Sequence, residues 1–387
     1  MAAHDLSGLV CVRNLDVLLV SGFCPVTGNT VAVVTDEPTI CLVVPEEARE
    51  LAEGGWADRI ETYKLGSLER VEEAPARLFG IVADLLRPLP NGPRRVGIEM
   101  GPAHLPASYV SMYVHGLALR RHLEQAFSRD WFAPSDDMLA ALRARPTPWE
   151  RARIRTACEL AGEAFCQAAP AMQVQVPETN AVLPFRDAFV ASASVHPEIS
   201  RADSFFYCMS GPNAAAAWGA FQRSHLTPLQ AGVPILIHCN GYADGYWTDL
   251  TRTYVLGQPD EQLRRIFDAL ARARDAALAA IRPGVQACAV DKAARDVLAA
   301  AGFGHAFKHP LGHGVGFTAI DHNEAPRIHP ASRTVLEEDM VFNVEPGVYI
   351  DGYGGARDCN VVAVTADGCE LLSPFQLAPG DWRIPLN

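Results

Sequence analysis

Among its ten cysteines the chain has no Cys-x-x-Cys pair, and it also lacks an excess of positive charge and any apolar run long enough to cross a bilayer. Each absence closes a class of function. Cys11, Cys24, Cys41, Cys158, Cys166, Cys208, Cys239, Cys288, Cys359 and Cys369 are widely spaced, as in a protein of a reducing cytoplasm rather than one built on a disulfide framework. Asp and Glu number 45 against 33 Lys and Arg, a net charge of -12. Nucleic acid is therefore excluded as the main partner, because phosphate binding needs clustered cations. The arginines are instead scattered, as in Arg151-Ala-Arg153-Ile-Arg155, a spacing of solvated helix faces. No stretch approaches the length of a membrane span, so no membrane partner is expected. Val17-Leu-Leu-Val20 follows Arg13 and Asp16 closely and precedes no small-residue cleavage site; it reads as a buried strand, not a signal peptide. Low-complexity segments and short-period repeats are missing as well.

What is present is an ordinary globular composition, 49% hydrophobic and 20% charged over 387 residues, more than one core usually organises. Up to about Asp136, strand-like runs (Val31–Val34, Ile40–Val44, Val96–Glu99) alternate with helical spacing over Leu68–Leu86 and Ser108–Ala126, an α/β pattern. Two prolines in Arg143-Ala-Arg-Pro-Thr-Pro148 break it. A helix is expected over Trp149–Met172, then strands at Phe205–Ser210, Pro234–Cys239, Tyr246–Leu256, Met340–Tyr349 and Asn360–Thr365, with helices at Gln262–Ile281 and Val290–Ala301.

Several residues in the second part invite a chemical reading. Asp249 opens Asp-Leu-Thr-Arg-Thr253 on a strand that Trp247, Leu250 and Tyr254 would bury, so a solvated surface carboxylate is a poor explanation. His238 stands eleven positions earlier, and a hairpin turning at Asp244-Gly245 brings the two close together. Glu345 lies in Val341-Phe-Asn-Val-Glu-Pro346, where a buried charge demands a proton, a cation or an ion pair with Arg252 or Arg357. Glycines flank His313 and permit close approach of backbone and substrate. Cys359, read alone, is a small buried hydrophobe.

In order along the chain, Ser210-Gly-Pro-Asn213, the His238–Thr253 hairpin, His309-Pro-Leu-Gly-His313-Gly-Val-Gly316, Val341–Gly347 and Gly354-Gly-Ala-Arg357-Asp-Cys359 resemble motifs of the creatinase, prolidase and methionine aminopeptidase superfamily. Asn14–Gly22 resembles the opening of its creatinase-type N-terminal domain. The resemblance implies an α+β protein: an α/β creatinase-type domain over residues 1–145 and a pita-bread catalytic domain over 146–387.

Metal-bearing members hold two divalent ions with two aspartates, a histidine and two glutamates. The same positions here carry His238, Asp249, His313, Glu345 and Cys359. Neither His238 nor Cys359 can bridge two ions with carboxylate geometry. Three chemistries stay open: a site without metal, in which histidines and carboxylates act as acid and base; a single ion; or a Cys359 thiolate nucleophile activated by a nearby histidine. The cofactor is accordingly one divalent metal (zinc, manganese or iron) or none. The resemblance also assigns accessory roles to His309 and to His322, places Asn213 on the substrate-side loop, and puts Trp218 where many members have a third histidine. Trp218 then lines a substrate pocket or packs in the core. Arg357 matches an arginine that organises the last ligand strand.

The implied activity is hydrolysis of a carbon–nitrogen bond in a small or dipeptide-like substrate, resembling Xaa-Pro peptidases and creatinase, in a homodimer. The alternatives are a catalytically silent pita-bread binding protein and a conventional two-metal Xaa-Pro dipeptidase or aminopeptidase.

Overall fold

Short apolar strands separated by turn residues build a mixed sheet in the first of two units, Met1–Arg143 and Ala144–Asn387. The computed structural model describes residues 1–25, 29–35, 39–64, 74–89, 94–100, 117–319, 321–375, 378 and 380–386. In the first unit the elements are β1 (Leu6–Cys11), α1 (Asn14–Ser21), β2 (Val31–Thr35), β3 (Ile40–Pro45), α2 (Arg49–Ala52), β4 (Arg59–Tyr63), α3 (Ala74–Leu86), β5 (Arg95–Ile98), α4 (Leu117–Ala126), β6 (Phe132–Pro134) and α5 (Asp136–Arg143). The sheet order is β4-β3-β2-β1-β5-β6, parallel at β3/β4, β1/β5 and β5/β6. Expected helical residues 68–73 and 108–116 lie outside the described residues.

Val17–Val20 is helical rather than extended, a correction to the sequence expectation. Gly22, at φ 70°, ends α1 by donating its N–H to Leu18 O. Asp16 in the first turn accepts from Arg13 Nε at 2.8 Å and pairs with Arg143. The buried ion pairs and the left-handed glycine cap outweigh the strand preference of two valines.

The second unit begins with α6 (Pro148–Ala168), and its start explains the proline-rich break. Pro148 occupies the first turn, Thr147 Oγ1 accepts from Glu150 N, and Glu150 returns the bond to Thr147 N at 2.7 Å. Then come α7 (Glu178–Ala181), α8 (Leu183–Ala193), β7 (Ala202–Ser210), β8 (Ile235–Ala243), β9 (Tyr246–Leu256), α9 (Glu261–Ala280), α10 (Ala287–Ala300), β10 (Val341–Val344), β11 (Gly347–Ile350), β12 (Gly354–Arg357), β13 (Asn360–Val364), β14 (Cys369–Leu371) and β15 (Arg383–Ile384). They form sheets ordered β15-β9-β8-β7, β10-β13-β14 and β11-β12. None of the helices among the described residues is long and apolar enough to cross a membrane.

Two features of this unit fix the site. Asp244 and Gly245, at φ 49° and 91°, make the two-residue turn between β8 and β9. The resulting register sets Asn240 opposite Asp249 and His238 opposite Thr251. The expected strand Met340–Tyr349 is split in two, because Pro346 has no N–H to give a ladder, and Glu345 falls at the break. Behind these strands, Ile266, Leu270, Val290 and Leu298 of α9 and α10 pack with Phe342, Val344, Val348 and Val362. Each such burial contributes roughly 1.5–3 kcal/mol, enough to hold the strands in place.

Candidate active site

Four strands and one loop converge on a small buried space. His238 and Asn240 come from β8, Asp249 and Thr251 from β9, Asn343 from β10, Arg357 from β12, Glu345 and Cys359 from the links beside them, and His309 and His313 from the loop. The loop is fixed by its backbone. A Cβ on Gly312 would lie 1.9 Å from Asn343 O, and one on Gly314 would lie 2.0 Å from Ala325 O. Only glycine allows strands to close so tightly around His313. Asp291 accepts from Leu311 N at 3.0 Å, while Arg295 donates to the carbonyls of Phe307 and His309.

His238 is almost wholly buried, and both of its ring nitrogens are engaged. Arg357 Nη2 lies 3.0 Å from Nδ1 and Thr251 Oγ1 lies 3.0 Å from the same atom. A guanidinium only donates, so Nδ1 carries a lone pair and the proton sits on Nε2, which donates to Asn240 Oδ1 at 3.1 Å. Burial, with Arg357 next to it, holds the imidazole well below the usual histidine range, so it is neutral.

His313 is arranged in the opposite sense. Its Nδ1–H donates to Gly314 O at 3.0 Å, leaving the Nε2 lone pair facing Asp249 Oδ2 at 3.6 Å and Glu345 Oε1 at 3.9 Å. Burial lowers its pKa strongly too. His309 donates from Nδ1 to Pro310 O at 2.7 Å and meets Tyr349 Oη at 2.9 Å through Nε2; burial lowers its pKa to about 3. His322 is exposed, its ring stacked on His313 at 4.7 Å between centroids, and desolvation, with Arg357 next, lowers its pKa to about 4.

The carboxylates move the other way. Burial raises Asp249 to about 7, opposed by Arg357, Cys359 and Asn240, and raises Glu345 to about 8, opposed by Arg357 and Asn343. Of the two arginines weighed from sequence, Arg357 faces Glu345, with Nη1 3.6 Å from Oε2. Arg252 serves the strand instead, donating to Cys359 O, Asn360 Oδ1 and Asp358. Cys359 Sγ lies 3.2 Å from Asp249 O and 3.7 Å from its Oδ1, and burial pushes the thiol well up. The thiol is placed as a donor to Asp249, and its burial disfavours a thiolate.

Asn213 and Trp218 lie on the segment that follows β7. Asn213 Nδ2 donates to Glu178 Oε2 and to Arg223 O, both at 2.8 Å, so the amide builds its own loop. Trp218 is 46% exposed, which excludes a core role. Three residues that sequence analysis does not single out complete the site. Asn240 bonds His238; Asn343 accepts from His313 N at 2.7 Å and approaches its Nε2 at 3.2 Å; Phe221 packs against His238 at 4.8 Å and His322 at 5.2 Å. A polar asparagine in the apolar run Val-Phe-Asn-Val is the one usable signal among them.

The donors do not fit a bridged pair of ions. Both ring nitrogens of His238 are engaged, burial holds the Cys359 thiol well above its usual range, and Asp249 and Glu345, even fully ionised, would set only two negative charges beside the positive Arg357. Two dications would leave a large uncompensated charge in a buried space. A single ion is less demanding: Asp249, His313 and His322 offer ligand atoms all within 4.8 Å of one another.

Comparison with known proteins agrees with this architecture. The Xaa-Pro dipeptidase of Pyrococcus horikoshii is 26% identical over 373 residues, covering 96% of this chain and 94% of that protein. The structure of dipeptidase PepE from Mycobacterium ulcerans is 26% identical with a TM-score of 0.76, covering 100% of this chain and 95% of that one. An X-Pro aminopeptidase from Thermotoga maritima, 20% identical, shares the fold with a TM-score of 0.79 over 100% of this chain and 99% of its own. The α+β class, with an N-terminal domain ahead of a pita-bread domain, is thus as expected, and the chain is a hydrolase. The model of metallopeptidase family M24 matches residues 152–366, more than half of the chain and all of the site described above, and the chain belongs to that family.

Proposed function

We propose that this chain hydrolyses a carbon–nitrogen bond in a small, dipeptide-like substrate by acid–base catalysis, without the bridged pair of ions implied by its family. The observation that carries the reading is the state of His238: Arg357 and Thr251 fill one ring nitrogen and Asn240 the other, at a position where the family resemblance implies a carboxylate ligand. Asp249 and Glu345, both titrating near neutrality, together retain one proton. The ionised member takes a proton from water as its oxygen bonds the substrate carbon. The protonated member delivers its proton to the leaving nitrogen as the C–N bond breaks. Arg357 and the neutral imidazoles orient the pair, and His322 is exposed. Substrates of the Xaa-Pro type are supported by the names of the relatives, and a homodimer remains part of the proposal by the same analogy.

A second reading has its own support. The 4.8 Å grouping of Asp249, His313 and His322 suits one divalent ion, with a mixed nitrogen and oxygen donor set. The deciding experiment is a panel of Xaa-Pro dipeptides, amides and amidines assayed with and without EDTA. Hydrolysis that survives EDTA supports the acid–base site. Loss restored by one equivalent of manganese or zinc supports the single ion, and loss restored only by two overturns both readings. Absence of hydrolysis throughout would point to the silent binding protein.

A further inference from the structure

Glu178 is fully buried at the start of α7, and among the described residues no cation pairs with it. Its charge is met by four hydrogen bonds. Oε1 accepts from Ser210 N at 2.7 Å and Ser210 Oγ at 2.8 Å; Oε2 accepts from Asn213 Nδ2 and His225 N, each at 2.8 Å. These donors stand at the two ends of one segment, so a single carboxylate closes the loop 210–225. Asn213 Nδ2 reaching Arg223 O ties it a second time. Charge-assisted bonds of this kind are the stronger class, and a buried carboxylate cannot give them up without stranding its charge.

The closed loop carries Phe221. Its ring lies 4.8 Å from the His238 ring at an interplanar angle of 69°, and 5.2 Å from the His322 ring. Met209, Ala214, Ala217, Leu236 and Tyr349 back it from behind. His238 is buried and His322 exposed, so the Phe221 ring bridges an inner and a surface histidine of the site.

We propose that Phe221 is a specificity-determining residue, the apolar wall that limits substrates to a small side chain beside His238, and that Glu178 is the positioning residue that sets this wall. The inference deepens the hydrolase reading above and rests on it for the substrate class. On this reading a bulky substrate side chain beside His238 meets the ring, and truncating the ring relieves that clash.

Phe221→Ala, Phe221→Leu and Glu178→Gln are compared with the unaltered full chain on Gly-Pro and Phe-Pro. The expected result for Phe221→Ala is a rise of about 10-fold or more in the kcat/KM of Phe-Pro relative to Gly-Pro, the scale of pocket discrimination by a few carbons. The change should lie mainly in KM, with Phe221→Leu intermediate. Glu178→Gln should shift the ratio the same way and speed amide hydrogen exchange across 211–225. An unchanged ratio in correctly folded Phe221→Ala, or in Glu178→Gln with exchange accelerated, overturns the proposal. If the unaltered chain hydrolyses neither peptide, the hydrolase reading fails by itself. Calorimetric titration with the same two peptides then tests the wall through the ratio of their Kd values, which Phe221→Ala must shift in the same direction.

Discussion

Restoring carboxylates at the two altered positions, as His238→Asp with Cys359→Glu, should turn this site into one that needs metal. Cys359 is fully buried with its Sγ 3.2 Å from Asp249 O, and His238 is 2% exposed beside Arg357. The double variant therefore places two more negative charges in a space where Arg357 already faces Glu345. Uncompensated buried charge of this kind costs about 3–5 kcal/mol, so the metal-free variant should be markedly destabilised. Divalent ions would reverse that: free metal at 100 times its Kd returns ~2.7 kcal/mol for each site. For a folding unit of this size that corresponds to a rise in Tm of roughly 5–10 °C. Thermal denaturation in EDTA and in excess manganese measures both terms. The unaltered chain should show little manganese dependence and the variant a large one. Equal manganese stabilisation of the two chains would refute the donor-set reasoning.

Further outcomes follow from the same geometry. In the folded chain Glu345 keeps its proton up to about pH 8 against 4.5 for a free carboxyl, so folding takes up a proton in that window and stability falls as pH rises through it. Glu345→Gln has no such proton, and Tm measured from pH 5 to 8 should decline less steeply than in the unaltered chain; parallel curves would contradict the assignment. Alkylation with iodoacetamide at neutral pH, followed by mass spectrometry, should mark exposed Cys166 and spare buried Cys359 with activity retained. Rapid modification of Cys359 with loss of turnover would instead revive the thiolate nucleophile.

Much of the site was legible because local rules determine it. The Asp-Gly turn alone sets the β8–β9 register, and with it the placing of His238 on the strand facing Asp249. Glycines on both sides of His313 announced a crowded backbone, and the distances to Asn343 and Ala325 show the crowding. Other features depend on distant partners or on a single interrupting residue. Val17–Val20 is apolar enough for a strand, but Asp16 pairs with Arg143, more than a hundred residues away, and a helix results. A continuous strand over Met340–Tyr349 ignored the missing donor of Pro346. The tautomer of His238 depends on Arg357 and Asn240, one far along the chain and one only two residues on, and no spacing rule reveals which nitrogen holds the proton. Asn213, matched by motif to a substrate loop, also donates to the buried Glu178, a contact that no motif reveals.

We propose that His238 and Cys359 deny this chain a bridged pair of ions. Elemental analysis of protein loaded with excess manganese or zinc and then desalted tests it directly. The expected result is no more than one ion retained per chain. Two retained per chain, both lost on Asp249→Ala, would contradict it.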